Sequence, residues 1–531
     1  MNQRRYTLHI LPEGLELQAY EGENLRSLLE AAGLIKRRDK RTDRFRLERG
    51  SISPAERPER EAAVFSPAQR TEGWFLASQR RVQGDATLHH GPPEEPLPVD
   101  QPAEGYGLAF DLGSGTVAAG LVDLGSMNIP QLSACSNLQL RFAPRLEDRQ
   151  KKAASPEGRQ QLRKLLLEDM QYLLRKLCSR TGVNPEQIKA LSCAGSSLML
   201  DLLDPAPEAG RERELRSFRC AALGLNRVSP DAELLLLPAV SRDLGADVVA
   251  SCLAADLLHK KDQPRITLLL DLGMSGEIIG AGRGRMLATS IPELPFEGQG
   301  IHCGMSALTG AITQVELGKR LVVKTVRDGR PLGVSGSGLL SAARVMLESG
   351  LLDAEGRISP PAPADSESPS FLRSSINGRE LLLSPADKNF PQDIFINQDD
   401  ILTLQMAKGS IYAACQAVLN ALGAGPEQIS EILLAESYRA HLQPRDFLRL
   451  GLLPAVDPER VLSIGNAAWQ GAFLCLNSRH YLEEAQRVAA EIQLLDLTTD
   501  PVYAAQFIQG MNFGEQKISS PGKNRRFLGS R

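Results

Sequence analysis

The chain has 531 residues, of which 42% are hydrophobic, 24% charged and 5% aromatic, and its formal net charge is −3. This composition excludes a disordered, collagen-like or disulfide-stapled protein, and the near-neutral charge argues against general nucleic-acid binding. The start of the chain has no signal-peptide pattern, and no apolar run is long enough to span a bilayer. We therefore expect a soluble, cytoplasmic protein with neither a membrane nor a nucleic acid as its partner.

The eight cysteines are scattered along the chain, and the first of them is Cys135. None of them forms a C-x-x-C pair, so the spacing indicates neither a disulfide framework nor a thiolate metal site. We expect most of them to be small buried hydrophobic residues.

Residues 1–90 predict a small α+β module. Apolar and polar residues alternate over 6–10 and again over 15–17, and leucines at helical spacing follow from Leu25. This order is typical of a β-hairpin followed by a helix. A basic stretch at 36–41 comes next and is either a docking loop for an acidic partner or a solvated charged face.

The rest of the chain predicts an α/β body. Residues 91–105 are rich in Pro and Glu, which is typical of a linker. Beyond them, apolar strands alternate with helical stretches such as 162–177, 401–422 and 467–476, the last with Asn466 as its N-cap. We predict a first lobe over 106–205, a second lobe and the remainder of the body over 206–515, and a basic tail over 516–531.

The motif Asp-Leu-Gly occurs twice, at residues 111–113 and 271–273, each time at the end of an apolar strand and before a second strand. Such a turn exposes backbone N–H groups that can hold phosphate oxygens, and its Asp can position hydrated Mg²⁺. A single copy is usually a plain hairpin turn. Two copies in separate parts of the chain instead indicate duplicated halves with a nucleotide cleft between them.

Four longer stretches, at 244–258, 271–312, 333–358 and 461–473, resemble the reductive activators of corrinoid proteins. These activators are a branch of the actin, sugar-kinase and heat-shock-chaperone ATPase superfamily. The resemblance runs from about Tyr106 to Phe513. It implies a two-lobed, actin-like ATPase-type body preceded by a ferredoxin-like, β-grasp module. It also implies ATP-driven electron transfer onto cobalt(II) corrinoid proteins.

The resemblance also implies a set of site residues. Asp111 and Asp271 would be the catalytic carboxylates and would hold Mg²⁺ through water. The residues expected to contact the nucleotide are Gly113, Ser114, Gly115, Thr116, Gly273, Ser275, Gly276, Glu277, Gly336, Ser337 and Gly338.

Two departures from the family pattern bear on cofactors. The loop that should carry the cluster cysteines reads Lys36 to Arg44, and a later cysteine position is Ser78, so we expect no iron–sulfur cluster. The glycine-rich adenosine loop is replaced by residues 435–439, which place Glu436 and Tyr438 where backbone should approach the nucleotide. We therefore expect ATP and Mg²⁺ binding to be weak.

The leading hypothesis is a corrinoid-protein-associated factor that resembles an ATP-dependent reductive activator, lacks its own [2Fe–2S] cluster and acts in corrinoid-dependent methyl transfer. Its expected partner is a corrinoid protein or a corrinoid-dependent methyltransferase, and a homodimer is left open. The enzymatic activity consistent with this hypothesis is a weak ATPase. The alternative is a pseudo-ATPase that serves as a binding or regulatory subunit.

Overall fold

A computed structural model describes most of the chain, and it divides into two compact units, Met1–Leu97 and Pro98–Arg531. The described residues are 4–11, 15–32, 34–35, 44–53, 73–90, 104–205, 207, 211–291, 294–318, 320–360, 371–376, 378–388, 390–436, 441–476, 478–500 and 502–514. Nearly all of the predicted linker, the predicted basic tail and the basic stretch at 36–41 lie outside these residues.

The first unit is built around a five-stranded sheet. Its strands are β1 (Arg5–Leu11), β2 (Leu15–Tyr20), β3 (Arg44–Ile52), β4 (Trp74–Leu76) and β5 (Val82–His90). Their order is β2-β1-β5-β3-β4, with β1 antiparallel to β2 and parallel to β5. The helix Leu25–Ala31, capped by Asn24, buries Leu25 and Leu29 in the core of this unit. The predicted hairpin and helix are confirmed, in a β-grasp arrangement.

The first half of the second unit is also built on one sheet. Its strands are β6 (Tyr106–Leu112), β7 (Thr116–Asp123), β8 (Gln131–Ser136), β9 (Ile188–Gly195), β10 (Arg216–Arg219) and β11 (Glu233–Leu236). The order is β10-β11-β9-β6-β7-β8. Its helices are Gln139–Phe142, Leu146–Ala153, Pro156–Thr181, Ser197–Leu203, Ala246–Ala254 and Leu257–Lys260. Because β10 and β11 complete this sheet, the first lobe extends beyond the predicted boundary at residue 205.

The second half contains the remaining strands. They are β12 (Ile266–Leu272), β13 (Gly276–Gly282), β14 (Arg285–Ile291), β15 (Ala311–Leu317), β16 (Leu321–Thr325), β17 (Gly333–Val334), β18 (Leu372–Ser375), β19 (Gly378–Ser384), β20 (Ile394–Asn397), β21 (Ile429–Glu436), β22 (Val461–Gly465) and β23 (Ile492–Leu494). The main sheet has the order β22-β21-β12-β13-β14-β23, and two smaller sheets have the orders β16-β15-β17 and β18-β19-β20.

The later helices are Gly336–Glu348, Gln398–Ala421, Pro444–Leu450, Ala467–Cys475, Arg479–Glu491 and Tyr503–Gly510. The helices predicted over 401–422 and 467–476 are therefore confirmed, the first with an earlier start where Asn397 caps it. Among the described residues, no helix is both long enough and apolar enough to cross a membrane.

The two halves repeat one local topology. In the first, β6 pairs antiparallel with β7 and parallel with β9, and in the second, β12 pairs antiparallel with β13 and parallel with β21. Asp111 and Asp271 occupy the penultimate positions of β6 and β12. The duplication therefore places each Asp at the equivalent point of its own half.

Two helices cross back from the second half to the first. Ala467–Cys475 and Arg479–Glu491 follow β22, yet their buried residues belong to the core formed by the first sheet. The indole of Trp469 donates to the carbonyl oxygen of Ala109 at 3.0 Å, and Ser192 Oγ donates to the carbonyl oxygen of Ala472 at 2.6 Å. The segment 206–515, predicted as the second lobe with the remainder of the body, therefore includes two helices that return to the first half.

We predict that Gly471→Ala destabilises the second unit. A Cβ atom at Gly471 would lie 2.1 Å from the carbonyl oxygen of Ala250, so the helices Ala467–Cys475 and Ala246–Ala254 would have to separate. The expected cost is about 1–3 kcal/mol of unfolding free energy, although alanine is the better helix former. Urea unfolding measures it.

The matched control is Gly318→Ala, because a Cβ there meets nothing within 4 Å. We expect its effect to stay within about 0.5 kcal/mol. Equal stability of the two variants would contradict the proposed close approach of the helices.

Candidate functional site

The two Asp-Gly turns meet at one cleft of about 60 Å³ within the second unit. Its lining residues are Asp111, Gly113, Ser114, Ser196, Asp247, Asp271, Gly273, Met274, Ser275, Glu277, Glu297, Glu436, Asn466 and Ala468. Seven of the residues predicted to hold the nucleotide or Mg²⁺ therefore lie together. They are Asp111, Gly113, Ser114, Asp271, Gly273, Ser275 and Glu277.

Asp111 is held by the residue that caps a helix. Asn466 Nδ2 donates to Asp111 Oδ2 at 2.8 Å, and the Asn466 side-chain oxygen accepts from the backbone N–H of Trp469 at 2.7 Å. The predicted N-cap is thus confirmed. Burial raises the pKa of Asp111 well above its usual range, while the hydrogen bond from Asn466 opposes this and the charge of Asp271 adds to it.

Asp271 is held in a similar way by a different helix. Ser251 Oγ, on the helix Ala246–Ala254, donates to Asp271 Oδ2 at 2.6 Å. Burial raises the pKa of Asp271, and this hydrogen bond partly offsets the rise. The two carboxylates are therefore oriented by two helices that pack against each other.

Further carboxylates crowd the same space. Asp247 lies in the first turn of the helix Ala246–Ala254, where burial and the charge of Asp271 raise its pKa to about 7. Glu277 accepts from Ser275 Oγ at 2.9 Å, and burial, followed by the charges of Asp247 and Asp271, raises the pKa of Glu277 well above its usual value. Each of these groups favours the protonated form of its neighbours.

Six of the lining side chains are carboxylic acids, and none of the described residues that line the cleft is Lys, Arg or His. Carboxylates crowded together in a buried space must either keep protons or share a cation. Oxygen ligands of this kind suit Mg²⁺, which binds one or two carboxylates and retains water. The donor set therefore fits Mg²⁺, and the expectation that Asp111 and Asp271 hold it through water stays a prediction.

Glu297 reaches the first Asp-Gly turn from the second half of the unit. Thr116 Oγ1 donates to Glu297 Oε2 at 3.0 Å, and a Cβ atom at Gly115 would lie 1.8 Å from the same oxygen. The fully buried Arg149 donates to the carbonyl oxygen of Ser114 and interacts electrostatically with Glu297. Gly115 and Thr116 therefore contact Glu297 and do not line the cleft.

The remaining predicted glycines serve packing. A Cβ at Gly276 would lie 2.4 Å from Leu294 Cδ1, one at Gly336 would lie 2.3 Å from the Cα of Phe296, and one at Gly338 would lie 2.2 Å from the carbonyl oxygen of Ile312.

Ser337, which lies between two of these glycines, is buried with its Oγ 2.9 Å from Ser335 Oγ. None of Gly276, Gly336, Ser337 and Gly338 lines the cleft, and their expected contact with a nucleotide stays a prediction.

The altered adenosine loop is described only at its start. Ser437, Tyr438 and Arg439 lie outside the described residues, whereas Glu436 ends β21 and lines the cleft. Its Oε2 accepts from the backbone N–H of Leu442 at 2.5 Å, and burial raises the pKa of Glu436 to about 7. A carboxyl group therefore occupies the position at which the resemblance expected glycine.

Sequence reasoning did not single out Asp247, Glu297 or Ser196. Asp247 and Glu297 lie within the stretches 244–258 and 271–312, which carry the family resemblance. Their position in these stretches is the signal in the sequence that could have pointed to them. Ser196 immediately follows β9, and its Oγ is buried with no hydrogen-bond partner among the described residues.

Comparison with known proteins agrees with this architecture. The family model described as the C-terminal domain of RACo, the ASKHA domain, matches residues 265–523, and the RACo middle-region model matches residues 106–261. The chain belongs to the RACo family, the reductive activators of corrinoid proteins. A solved structure of this type, a reductive activator for corrinoid, iron-sulfur protein, covers 96% of this chain and 98% of its own with a TM-score of 0.72 at 21% identity. That similarity shows a shared fold.

Two curated relatives extend the comparison. This RACo-family chain is 27% identical over 466 residues to the corrinoid activation enzyme RamQ of Eubacterium limosum, a span of 84% of this chain and 76% of RamQ. It is also 24% identical over 305 residues to the [Co(II) methylated amine-specific corrinoid protein] reductase of Methanosarcina barkeri. That alignment spans 53% of this chain and 51% of the reductase.

We predict that Asp247→Asn stabilises the chain at neutral and alkaline pH. In the folded state the pKa of Asp247 is about 7, against an ordinary value of 3.8, so stability falls as pH rises between these values. The amide cannot ionise, so the variant gains roughly 2 kcal/mol at pH 8 and little at pH 4. Chemical unfolding in the presence of a chelator at both pH values measures this gain.

Asp243→Asn is the matched control, because Asp243 is an exposed acidic residue just before the same helix. We expect its stability to follow the wild-type pH dependence. An Asp247→Asn variant whose stability also falls as steeply as that of the wild type would show that the carboxylates do not repel one another.

Proposed function

We propose that this chain is a corrinoid-protein-associated reductive activator that binds Mg²⁺ with nucleotide in its cleft and carries no [2Fe–2S] cluster of its own. The observation that supports this most directly is the meeting of Asp111 and Asp271, from duplicated hairpins, in one cleft. Membership of the RACo family and the printed functions of the two curated relatives favour a corrinoid protein as the partner. Its role would lie in corrinoid-dependent methyl transfer.

A cluster does not fit the first unit. A [2Fe–2S] cluster needs four ligands, usually cysteine thiolates, yet no cysteine precedes Cys135, which lies in the second unit. Ser78 lies in a short 3₁₀ helix after β4, and its hydroxyl does not replace a thiolate. The electrons for reduction would therefore come from a separate donor, and the first unit would serve as a binding module.

In this proposal the residues of the cleft fix the orientation of the two aspartates and give the site its negative charge. Bound Mg²⁺ would neutralise phosphate charge and lower the pKa of the carboxyl groups around it. Asn466 and Ser251 fix the rotamers of Asp111 and Asp271, and both come from the helix pair Ala246–Ala254 and Ala467–Cys475. Any change in the distance between the Asp111 and Asp271 carboxylates would therefore be transmitted to these two helices.

The alternative, a pseudo-ATPase that acts as a binding or regulatory subunit, is favoured by the negative charge of the cleft. Its six carboxylic acids face the place where a triphosphate would lie, and Glu297 contacts Thr116 on the turn expected to hold phosphate. Both features oppose an anionic ligand. Nucleotide binding would then be weak, and hydrolysis slow or absent.

We predict weak Mg-ATP binding by the wild-type chain, with a Kd of about 1 mM. Glu436→Gly removes the carboxyl group at the adenosine loop, so we expect it to tighten binding by about 10-fold. Isothermal titration calorimetry at fixed Mg²⁺ measures both. The control is Glu427→Gly, which removes a carboxylate from the short 3₁₀ helix before β21 and outside the cleft.

Tight, Mg²⁺-dependent binding that disappears in Asp271→Ala would refute the pseudo-ATPase alternative. No binding at millimolar ATP by the wild type or by Glu436→Gly would refute the nucleotide-dependent activator. The protein would then be interpreted as a scaffold.

We predict that the full chain binds a cobalt(II) corrinoid protein and supports its reduction only when an external electron donor is added. Calorimetry measures binding, and the absorption change of the corrinoid measures reduction. If the basic stretch at 36–41 takes part, binding weakens steeply with salt and in the double variant Lys36→Glu, Arg37→Glu. Arg357→Glu, at an exposed arginine of the second unit, is the control.

Absence of binding at every ionic strength, with and without nucleotide, would contradict the proposed partner. A [2Fe–2S] absorption spectrum, or iron bound in stoichiometric amount, would contradict the absence of a cluster.

A further inference from the structure

Outside the cleft, three metal-ligating side chains come together where residues 256–259 meet the helix Arg479–Glu491. One ligand atom each from Asp256, His259 and Glu484 lies within 4.8 Å of the other two. His259 Nδ1 is 2.6 Å from Asp256 Oδ1. Asp256 and His259 are three residues apart, and the return of the helix Arg479–Glu491 to the first half brings the distant Glu484 to them.

The separations are close to those of a coordination sphere. First-row metal ions hold nitrogen and carboxylate oxygen at about 2.0–2.2 Å, so neighbouring ligand atoms lie about 3–4 Å apart. The side chains of Asp256 and His259 are 61% and 68% exposed. Both can rotate by the small amount that coordination needs without disturbing the core.

The buried carboxylate of Glu484 is the feature that points to a cation. Its side chain is only 4% exposed, and a buried carboxylate needs a compensating positive charge. His480 Nε2 lies 3.4 Å from Glu484 Oε2 one helical turn earlier and adds a second imidazole beside the group. A bound divalent ion would place positive charge next to this buried carboxylate.

We propose that Asp256, His259 and Glu484, with His480 beside them, form a binding site for a divalent first-row transition metal ion of the Zn²⁺ type. Imidazole nitrogen suits Zn²⁺, Co²⁺ and Ni²⁺, whereas Mg²⁺ and Ca²⁺ prefer all-oxygen sites. None of these four residues lines the nucleotide cleft.

Such an ion would cross-link two structural elements of the first half. Asp256 and His259 follow the helix Ala246–Ala254, and Glu484 lies on the helix that packs against it. Lys261 Nζ and Glu491 Oε2, 3.1 Å apart, already join the same two segments by an ion pair. Because Asp247 and Ser251 lie on the helix Ala246–Ala254, the ion would stiffen one wall of the cleft.

The test is titration of the chelator-treated full chain with Zn²⁺ and, separately, with Co²⁺, without nucleotide. We expect one strong site, a higher Tm in the presence of Zn²⁺, and a Co²⁺ spectrum without thiolate charge-transfer absorption. His259→Ala and Asp256→Asn should each weaken binding by about 10-fold or more and abolish the rise in Tm. Both side chains are exposed, so the variants should match the wild-type Tm in chelator.

His9→Ala is the matched control, because His9 Nδ1 lies 3.2 Å from Glu16 Oε1 and no second carboxylate among the described residues joins this pair in a metal-ligating group. We expect it to bind Zn²⁺ as the wild type does. The proposal is overturned if the wild type shows no strong site, if binding survives in both His259→Ala and Asp256→Asn, or if the Co²⁺ spectrum shows thiolate ligation. None of these outcomes bears on the nucleotide or corrinoid proposals.

Discussion

The close packing of two helices, Ala246–Ala254 and Ala467–Cys475, is the interaction on which the cleft depends. Gly471 lets the two backbones approach, because any side chain there would meet the carbonyl oxygen of Ala250. One helix carries Ser251, which holds Asp271, and the other begins at Asn466, which holds Asp111. The geometry of both carboxylates is thus set by a contact between Ala250 and Gly471, which lie far apart in the sequence.

The second constraint is electrostatic. Buried acids with raised pKa values oppose the folded state as pH rises, and the protein retains several of them in one small space. That arrangement is hard to explain by stability alone, since well-packed apolar residues would cost less. It is consistent with a site selected for a cation. Glu436, at the end of β21, adds a further carboxyl group to the lining of this cleft.

Much of the fold follows from local sequence pattern. Alternation and helical spacing predicted the hairpin and helix of the first unit, and the repeated Asp-Leu-Gly motif located both aspartates of the cleft. The boundary at residue 205 was missed because β10 and β11 are only four residues long. The return of the C-terminal helices to the first half leaves no local signal, since an apolar helix face does not specify its partner.

The site was predictable only in part. Asp247 and Glu297 come from segments that have no motif of their own, and only tertiary structure brings them to the two turns. At Gly336 and Gly338 the structure shows a close approach of neighbouring backbone, and such a glycine looks the same in sequence as one required by a ligand. Glycine patterns therefore locate close approaches reliably, but they do not identify what approaches.

The contact between Gly115 and Glu297 has an evolutionary consequence. Position 115 has no room for a side chain because the carboxylate of residue 297 occupies that space, while Thr116 holds the carboxylate in place. The two positions are therefore not free to vary separately. Among related chains, a larger residue at the position equivalent to 115 should accompany a shorter one at the position equivalent to 297. Glycine at the first position together with glutamate at the second would then mark the lineage that shares this contact between the two halves.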